Sequence, residues 1–145
     1  MTSDLQISVV SEVTDDVVAA FQHLIPQLSS SNSPPSKQQL AHIVTSDACH
    51  LLLAREGDRI LGSLTLVVFP IPTGVRAWIE DVVVDGDARG KGVGAALNQA
   101  AIDLAREAGA TTVDLTSRPT REAANRLYQR LGFKERETNV YRYQL

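Results

Sequence analysis

The chain has one cysteine, Cys49, among its 145 residues. An intramolecular disulfide is therefore excluded, and so is a zinc site built from thiolates alone. Histidine is almost as sparse: His23, His42 and His50 are scattered and lack metal spacing such as HExxH, so no metal is expected. Cys49 and His50 are neighbours, but adjacent side chains on a strand point to opposite faces, which argues against a nucleophile and its base. There is no long apolar run. The most hydrophobic stretch, Leu61 to Phe69, is too short to span a bilayer and stops at Pro70. The opening MTSDLQISVV places no basic segment ahead of an apolar one; no signal peptide is read there, and the expected location is the cytoplasm. Positive charge is also in deficit. A net charge of −3 lacks the basic surplus that general nucleic-acid or anionic-membrane binding requires. Arg118, Arg121, Arg126 and Arg130 gather near one end with a single aromatic, Tyr128, among them, and a solvated helix face accounts for them.

What is present is ordinary for a globular protein: 43% hydrophobic and 21% charged residues, in a chain long enough for one domain with a real core. No repeat or domain-sized linker interrupts it, and SSSNSPPS, Ser29 to Ser36, reads as a surface loop. A single domain over residues 1–145 is expected. Its elements follow from periodicity and turn residues. A strand over Leu5 to Val10 precedes a helix from Thr14 to about Leu28 and a short helix over Lys37 to Thr45. Strands follow over Cys49 to Arg55 and Arg59 to Phe69, joined at Glu56-Gly57-Asp58, with another over Val75 to Val84. Val93 to Ala108 is a helix stopped by Gly109, Thr111 to Thr116 a strand, and Pro119 to Leu131 a helix stopped by Gly132. Phe133 to Glu135 and Asn139 to Tyr143 read as final strands. The fold class is α+β: a mixed, mostly antiparallel twisted sheet, helices on both faces, and one strand–helix–strand crossover.

The informative stretch is DVVVDGDARGKGVGAALNQ, Asp81 to Gln99. A β-branched run breaks into a glycine-rich loop and an alanine-rich helix. Bare backbone N–H groups at a helix start favour an anion. A nucleoside-triphosphate loop is excluded, because Gly86 stands one residue too close to Gly90-Lys91 and Gly92 replaces the metal-binding hydroxyl. A dinucleotide fingerprint is met by Gly90, Gly92 and Ala95, with Asp114 beyond. That motif normally opens a repeated strand–helix array, and only one crossover follows here.

Arg89-Gly90-Lys91-Gly92-Val93-Gly94 resembles the R/Q-x-x-G-x-G/A signature of the GNAT superfamily of acyl-CoA-dependent N-acetyltransferases. Ile79 to Val84 resembles that family's central strand, and Ala124 to Phe133 (ANRLYQRLGF) its C-terminal block. The resemblance implies a fold of the class just described and acetyl-CoA as co-substrate. It places the pyrophosphate on the loop and helix start, Arg89, Gly90, Lys91, Gly92, Val93, Gly94 and Ala95. Glycines allow close backbone approach there, and the helix contributes its positive end. It also implies that the backbone of Val82, Val83 and Val84 pairs with the pantetheine arm, which requires an opening in the sheet beside that strand.

By the same resemblance, Tyr128 protonates the leaving thiolate. Arg121, Asn125 and Tyr128 fall on one helix face at i, i+4 and i+7, so Asn125 or Arg121 meets the cofactor's polar arm. Many relatives carry asparagine where this chain has Arg121. Ala124, Leu127 and Leu131 point to the core. Glu80 and Asp81 face opposite sides of their strand unless a bulge intervenes. Two carboxylates in a strand of Ala, Trp, Ile and Val are costly unless a site uses them. The segment is similar to that of spermidine/spermine and glucosamine-6-phosphate acetyltransferases, which implies that Glu80 is the base acting through water. Asp81 is then an acceptor anchor or a structural partner, with Asp81 or water alone the other bases. Ser29 to Ser36 and Glu137 to Asn139 occupy positions that shape the acceptor pocket. The function expected is direct acetyl transfer from acetyl-CoA to a primary amine, of a small molecule, with a homodimer left open. The alternatives are transfer to a protein amine and a non-catalytic acyl-CoA sensor, which would need neither Tyr128 nor Glu80.

Overall fold

The run Leu51-Leu52-Leu53-Ala54 has no polar residue to turn outward, and all four side chains are buried. A strand buried on both faces must be central, with helices above and below it. The computed structural model, which describes residues 4–145, shows this arrangement. Its elements are β1 (Leu5–Val9), α1 (Asp15–Leu28), α2 (Lys37–Thr45), β2 (Cys49–Glu56), β3 (Arg59–Ile71), β4 (Gly74–Val84), a single 3-10 turn (Gly86–Ala88), α3 (Val93–Glu107), β5 (Thr112–Asp114) and α4 (Glu122–Leu131). They form two compact units, the first reaching Leu115 and the second spanning 116–145.

In the first unit the sheet runs β1-β2-β3-β4-β5. Every pairing is antiparallel except β4 with β5, which α3 joins as a crossover. Leu51 and Leu53 point to one face and pack with Val17 and Phe21 of α1 and Leu40 of α2. Leu52 and Ala54 point to the other face. Gly62 pairs with Ala54 there, and α3 crosses so closely that a Cβ at Gly62 would stand 3.2 Å from Val93 and 3.3 Å from Leu97. It would also meet the Val83 carbonyl oxygen at 2.7 Å, so no larger residue fits without moving backbone. Each leucine buried this way contributes about 1.5–3 kcal/mol. With only one parallel pair among the described strands, the repeated array of a dinucleotide-binding fold is not present.

Most boundaries lie within two residues of the sequence reading, and the larger differences fall after α3. The last helix begins at Glu122, not Pro119, because residues 118–121 close a turn in which the Arg121 N–H donates to the Arg118 carbonyl at 3.0 Å. β5 keeps only the residues that meet β4. The strands expected at Phe133 to Glu135 and Asn139 to Tyr143 are not formed. An extended segment becomes a strand only where a neighbouring backbone answers its N–H and C=O groups. Val140, Tyr141 and Tyr143 are instead exposed. No helix of the described residues is long and apolar enough to cross a membrane, and no cluster among them could hold a metal ion.

Candidate active site

At the end of β4 the chain turns into α3 through the glycine loop. Gly92 is the N-cap of α3 in a left-handed conformation, φ 79° and ψ 16°, with no side chain to cap the helix. A residue with a Cβ would cost roughly 1–2 kcal/mol in that conformation. Apart from the adjoining residues of the chain, no protein atom lies within 4 Å of where a Cβ at Gly90 or Gly92 would stand, so the space on that side of the loop is open. The first intrahelical bond is from the Ala96 N–H to the Gly92 carbonyl, leaving the N–H groups of Val93, Gly94 and Ala95 without a partner in the helix. Other helix starts are answered from within: Asp15 and Asp16 in α1, a Ser36–Gln39 capping box in α2, and Glu122 in α4. Among the described helices α3 alone has neither a capping side chain nor an acidic residue in its first turn. Arg89 and Lys91 are exposed beside it, Lys91 with its Nζ 3.6 Å from Glu56. Asn98 is fully buried one turn on, donating to the Gly94 carbonyl at 2.8 Å.

β4 is open on one edge. β5 covers only Arg76, Ala77 and Trp78, so no strand of the described residues flanks Ile79 to Val84 on that side. The Asp85 N–H donates to the Leu61 carbonyl at 2.7 Å, which sets the ladder's phase. Val83 therefore spends its backbone groups on β3, and Val84 turns its own to the open edge. The bulge that would bring the two acidic residues out is present. Ser63 pairs with Val83 but Thr65 with Glu80, so β4 carries one extra residue there. Asp81 takes it up at φ 50°, the one positive φ outside glycine among the described residues. Aspartate tolerates that region better than most residues. Both carboxylates are consequently exposed, and the Trp78 indole N–H donates to Glu80 Oε2 at 2.7 Å, fixing its orientation.

Asp85, next along the chain, is buried and was not marked by sequence reasoning. The Asp87 backbone N–H, then the charges of His23 and Arg59, hold its carboxyl below the ordinary carboxylate value, against the opposing effect of burial. Its contribution to stability is whole above the unfolded value and is lost as pH falls through the lowered one.

In the second unit, Tyr128 is the one buried residue of α4 and meets Phe133 edge to face at a centroid distance of 5.8 Å. Burial pushes its phenol pKa up, opposed by the Arg121 charge, so the hydroxyl keeps its proton. Ala124, Leu127 and Leu131, expected to be the core-facing side, are only half-buried. Arg121 is the N-cap, outside the helix proper. Asn125 donates one of its two side-chain N–H groups to the Arg118 carbonyl at 2.9 Å, which leaves the other N–H and the amide oxygen for a ligand.

The Acetyltransferase (GNAT) family model matches residues 17–133. The chain belongs to the GNAT acetyltransferase family. Among its relatives, glucosamine 6-phosphate N-acetyltransferase of Trypanosoma brucei brucei is 40% identical over 103 residues, 69% of this chain and 65% of that one. This GNAT chain thus spans just under two thirds of that relative's length. N-alpha-acetyltransferase 30 of Schizosaccharomyces pombe is 30% identical over 115 residues, 79% of this chain and 76% of that one. A solved Trypanosoma brucei acetyltransferase superposes with a TM-score of 0.78 at 28% identity, covering 98% of this chain and all of that one.

The motif did not mark every residue that the structure brings to this candidate site. Trp78 left no pattern of its own. A weak signal for Asp85 existed: Asp85-Gly86-Asp87 is the spacing at which an aspartate accepts from the backbone two residues on.

Proposed function

We propose that this GNAT chain transfers an acetyl group from acetyl-CoA directly to a primary amine of a small molecule. The observation that carries the reading is the unanswered start of α3 beside an open β4 edge: one offers bare N–H groups to an anion, the other an unpaired backbone to an amide-bearing arm. The amides of Gly90 to Ala95 hold the pyrophosphate, with Arg89 and Lys91 adding charge. The β4 edge at Val82 to Val84, above all Val84, receives the pantetheine. Acetyl-CoA supplies the activated acyl carbon and a thiolate leaving group. Glu80, oriented by Trp78, takes a proton from the ammonium through water, freeing the nitrogen lone pair to form the new C–N bond as the C–S bond breaks. Tyr128 gives its proton to the departing sulfur, and the second proton that the nitrogen sheds on becoming an amide restores the phenol through water. Asp81, turned out by the bulge, attracts the cationic amine.

The relative named for glucosamine 6-phosphate supports a small-molecule acceptor. The relative named as an N-alpha-acetyltransferase favours a second reading, an α-amine of a protein. A panel of small amines and peptides with acetyl-CoA, followed by thiol release, separates these. Small amines should turn over best, and Glu80→Gln should lower kcat/KM by about tenfold or more, most strongly below the amine's own pKa, with acetyl-CoA binding kept. Peptides outperforming every small amine, with Glu80→Gln indistinguishable from wild type across pH, would overturn both the acceptor class and the role of Glu80. Binding without any thiol release would mark a sensor.

A further inference from the structure

Two glycines with positive φ make the cofactor loop costly to order, so something outside it must hold its shape. Asp85 stands where the loop leaves β4, with 6% of its side chain exposed. Three parts of the first unit converge on that carboxylate. From the loop itself, the Asp87 N–H donates to Oδ1 at 3.1 Å. From α1, His23 Nε2 lies 3.1 Å from Oδ2; a carboxylate only accepts, so the proton is on that nitrogen. From the β2–β3 hairpin, the Arg59 guanidinium reaches Oδ2 at 3.7 Å and Asp87 at 3.9 Å. Gln27, one turn after His23, adds a second tie by accepting from the Gly86 N–H at 2.8 Å. A simple turn cap would use Oδ1 and leave Oδ2 to solvent. Here Oδ2 is buried against two other elements.

We propose that Asp85 is a positioning residue for the cofactor loop: it fastens residues 85–87 to α1 and to the β2–β3 hairpin, so that the amides of Gly90 to Ala95 are arranged before a pyrophosphate arrives. Binding then does not have to supply the free energy of ordering the loop. The inference rests on the acetyl-CoA reading for its ligand, but the fastening itself is a property of the free protein.

The test uses Asp85→Ala, with Asp85→Asn and the exposed His23→Ala beside it. Amide hydrogen exchange of residues 86–92 is measured without ligand, and KM and Kd for acetyl-CoA are measured well below the melting temperature. Asp85→Ala should speed loop exchange and weaken acetyl-CoA by about tenfold, with kcat at saturation kept within about twofold. Asp85→Asn keeps an acceptor for the Asp87 amide and should fall between, and His23→Ala should cost about threefold. Wild-type exchange and affinity in Asp85→Ala, or a fall in kcat with KM unchanged, would overturn the proposal. If Asp85→Ala does not fold, His23→Ala and Arg59→Ala decide: wild-type exchange and affinity in both would overturn it. A wild-type chain that binds no acetyl-CoA would overturn the proposed function, while loop exchange in the free protein would still decide the role of Asp85.

Discussion

Helices α2 and α3 begin in opposite ways. The Ser36 hydroxyl accepts from the Gln39 N–H at 3.1 Å, and the Gln39 side chain accepts from the Ser36 N–H at 2.8 Å, so α2 closes its own start. α3 is the longer helix, yet its N-cap is glycine and its first turn holds no acid. A helix that serves only the core has every reason to satisfy its free amides, since a cap contributes about 1 kcal/mol. A helix that leaves them open forgoes that stability, and α3 has no capping side chain to answer them. Under the proposed function, the contrast separates backbone used for folding from backbone kept for a ligand.

The strongest way to break that contrast is to fill the open space. Gly92→Val should fold with a loss of roughly 1–2 kcal/mol from left-handed strain. Acetyl-CoA should raise the melting temperature of the wild-type chain by binding its folded state, and this variant should lose that rise. A shift of wild-type size in thermal denaturation would show that the loop backbone is not the binding surface.

A second variant tests the general-acid role proposed for Tyr128, which a backbone site at α3 does not supply. Tyr128→Phe should slow turnover on the order of tenfold to a thousandfold while acetyl-CoA affinity is nearly kept, the mark of a lost general acid. Stopped-flow or single-turnover measurement, where chemistry limits the rate, checks this. Wild-type turnover there would assign the proton to water or another group.

The smallest effect belongs to the closed helix. Ser36→Ala should cost about 1 kcal/mol in denaturant unfolding and leave the acetyl-CoA dissociation constant unchanged. If it weakened acetyl-CoA as Gly92→Val does, the two helix starts would not differ in function.

The fold was legible wherever local chemistry and burial agree. Leu51 to Ala54 could only be a central strand, Gly57-Asp58 could only be a turn, and the helix over Lys37 to Thr45 lies where its pattern placed it. The glycine loop was legible because an unpaired backbone requires a particular residue type. Other features depend on partners distant in sequence. The positive φ of Asp81 follows from register against β3, and no neighbour of Asp81 in the chain signals it. His23 and Asp85 are 62 residues apart, so their pairing leaves no local pattern. Asn139 to Tyr143 shows the converse failure, a β-branched and aromatic segment that finds no ladder.

The most direct test of the central claim is a backbone amide NMR titration of the wild-type chain with acetyl-CoA, with NAD and ATP as controls. The largest shifts should fall on Gly90 to Ala95 and on Val84, with the amides at the start of α2 unmoved and NAD and ATP giving much smaller changes. Shifts centred away from the start of α3, or equal shifts with NAD, would contradict the assignment of this loop to the pyrophosphate of acetyl-CoA.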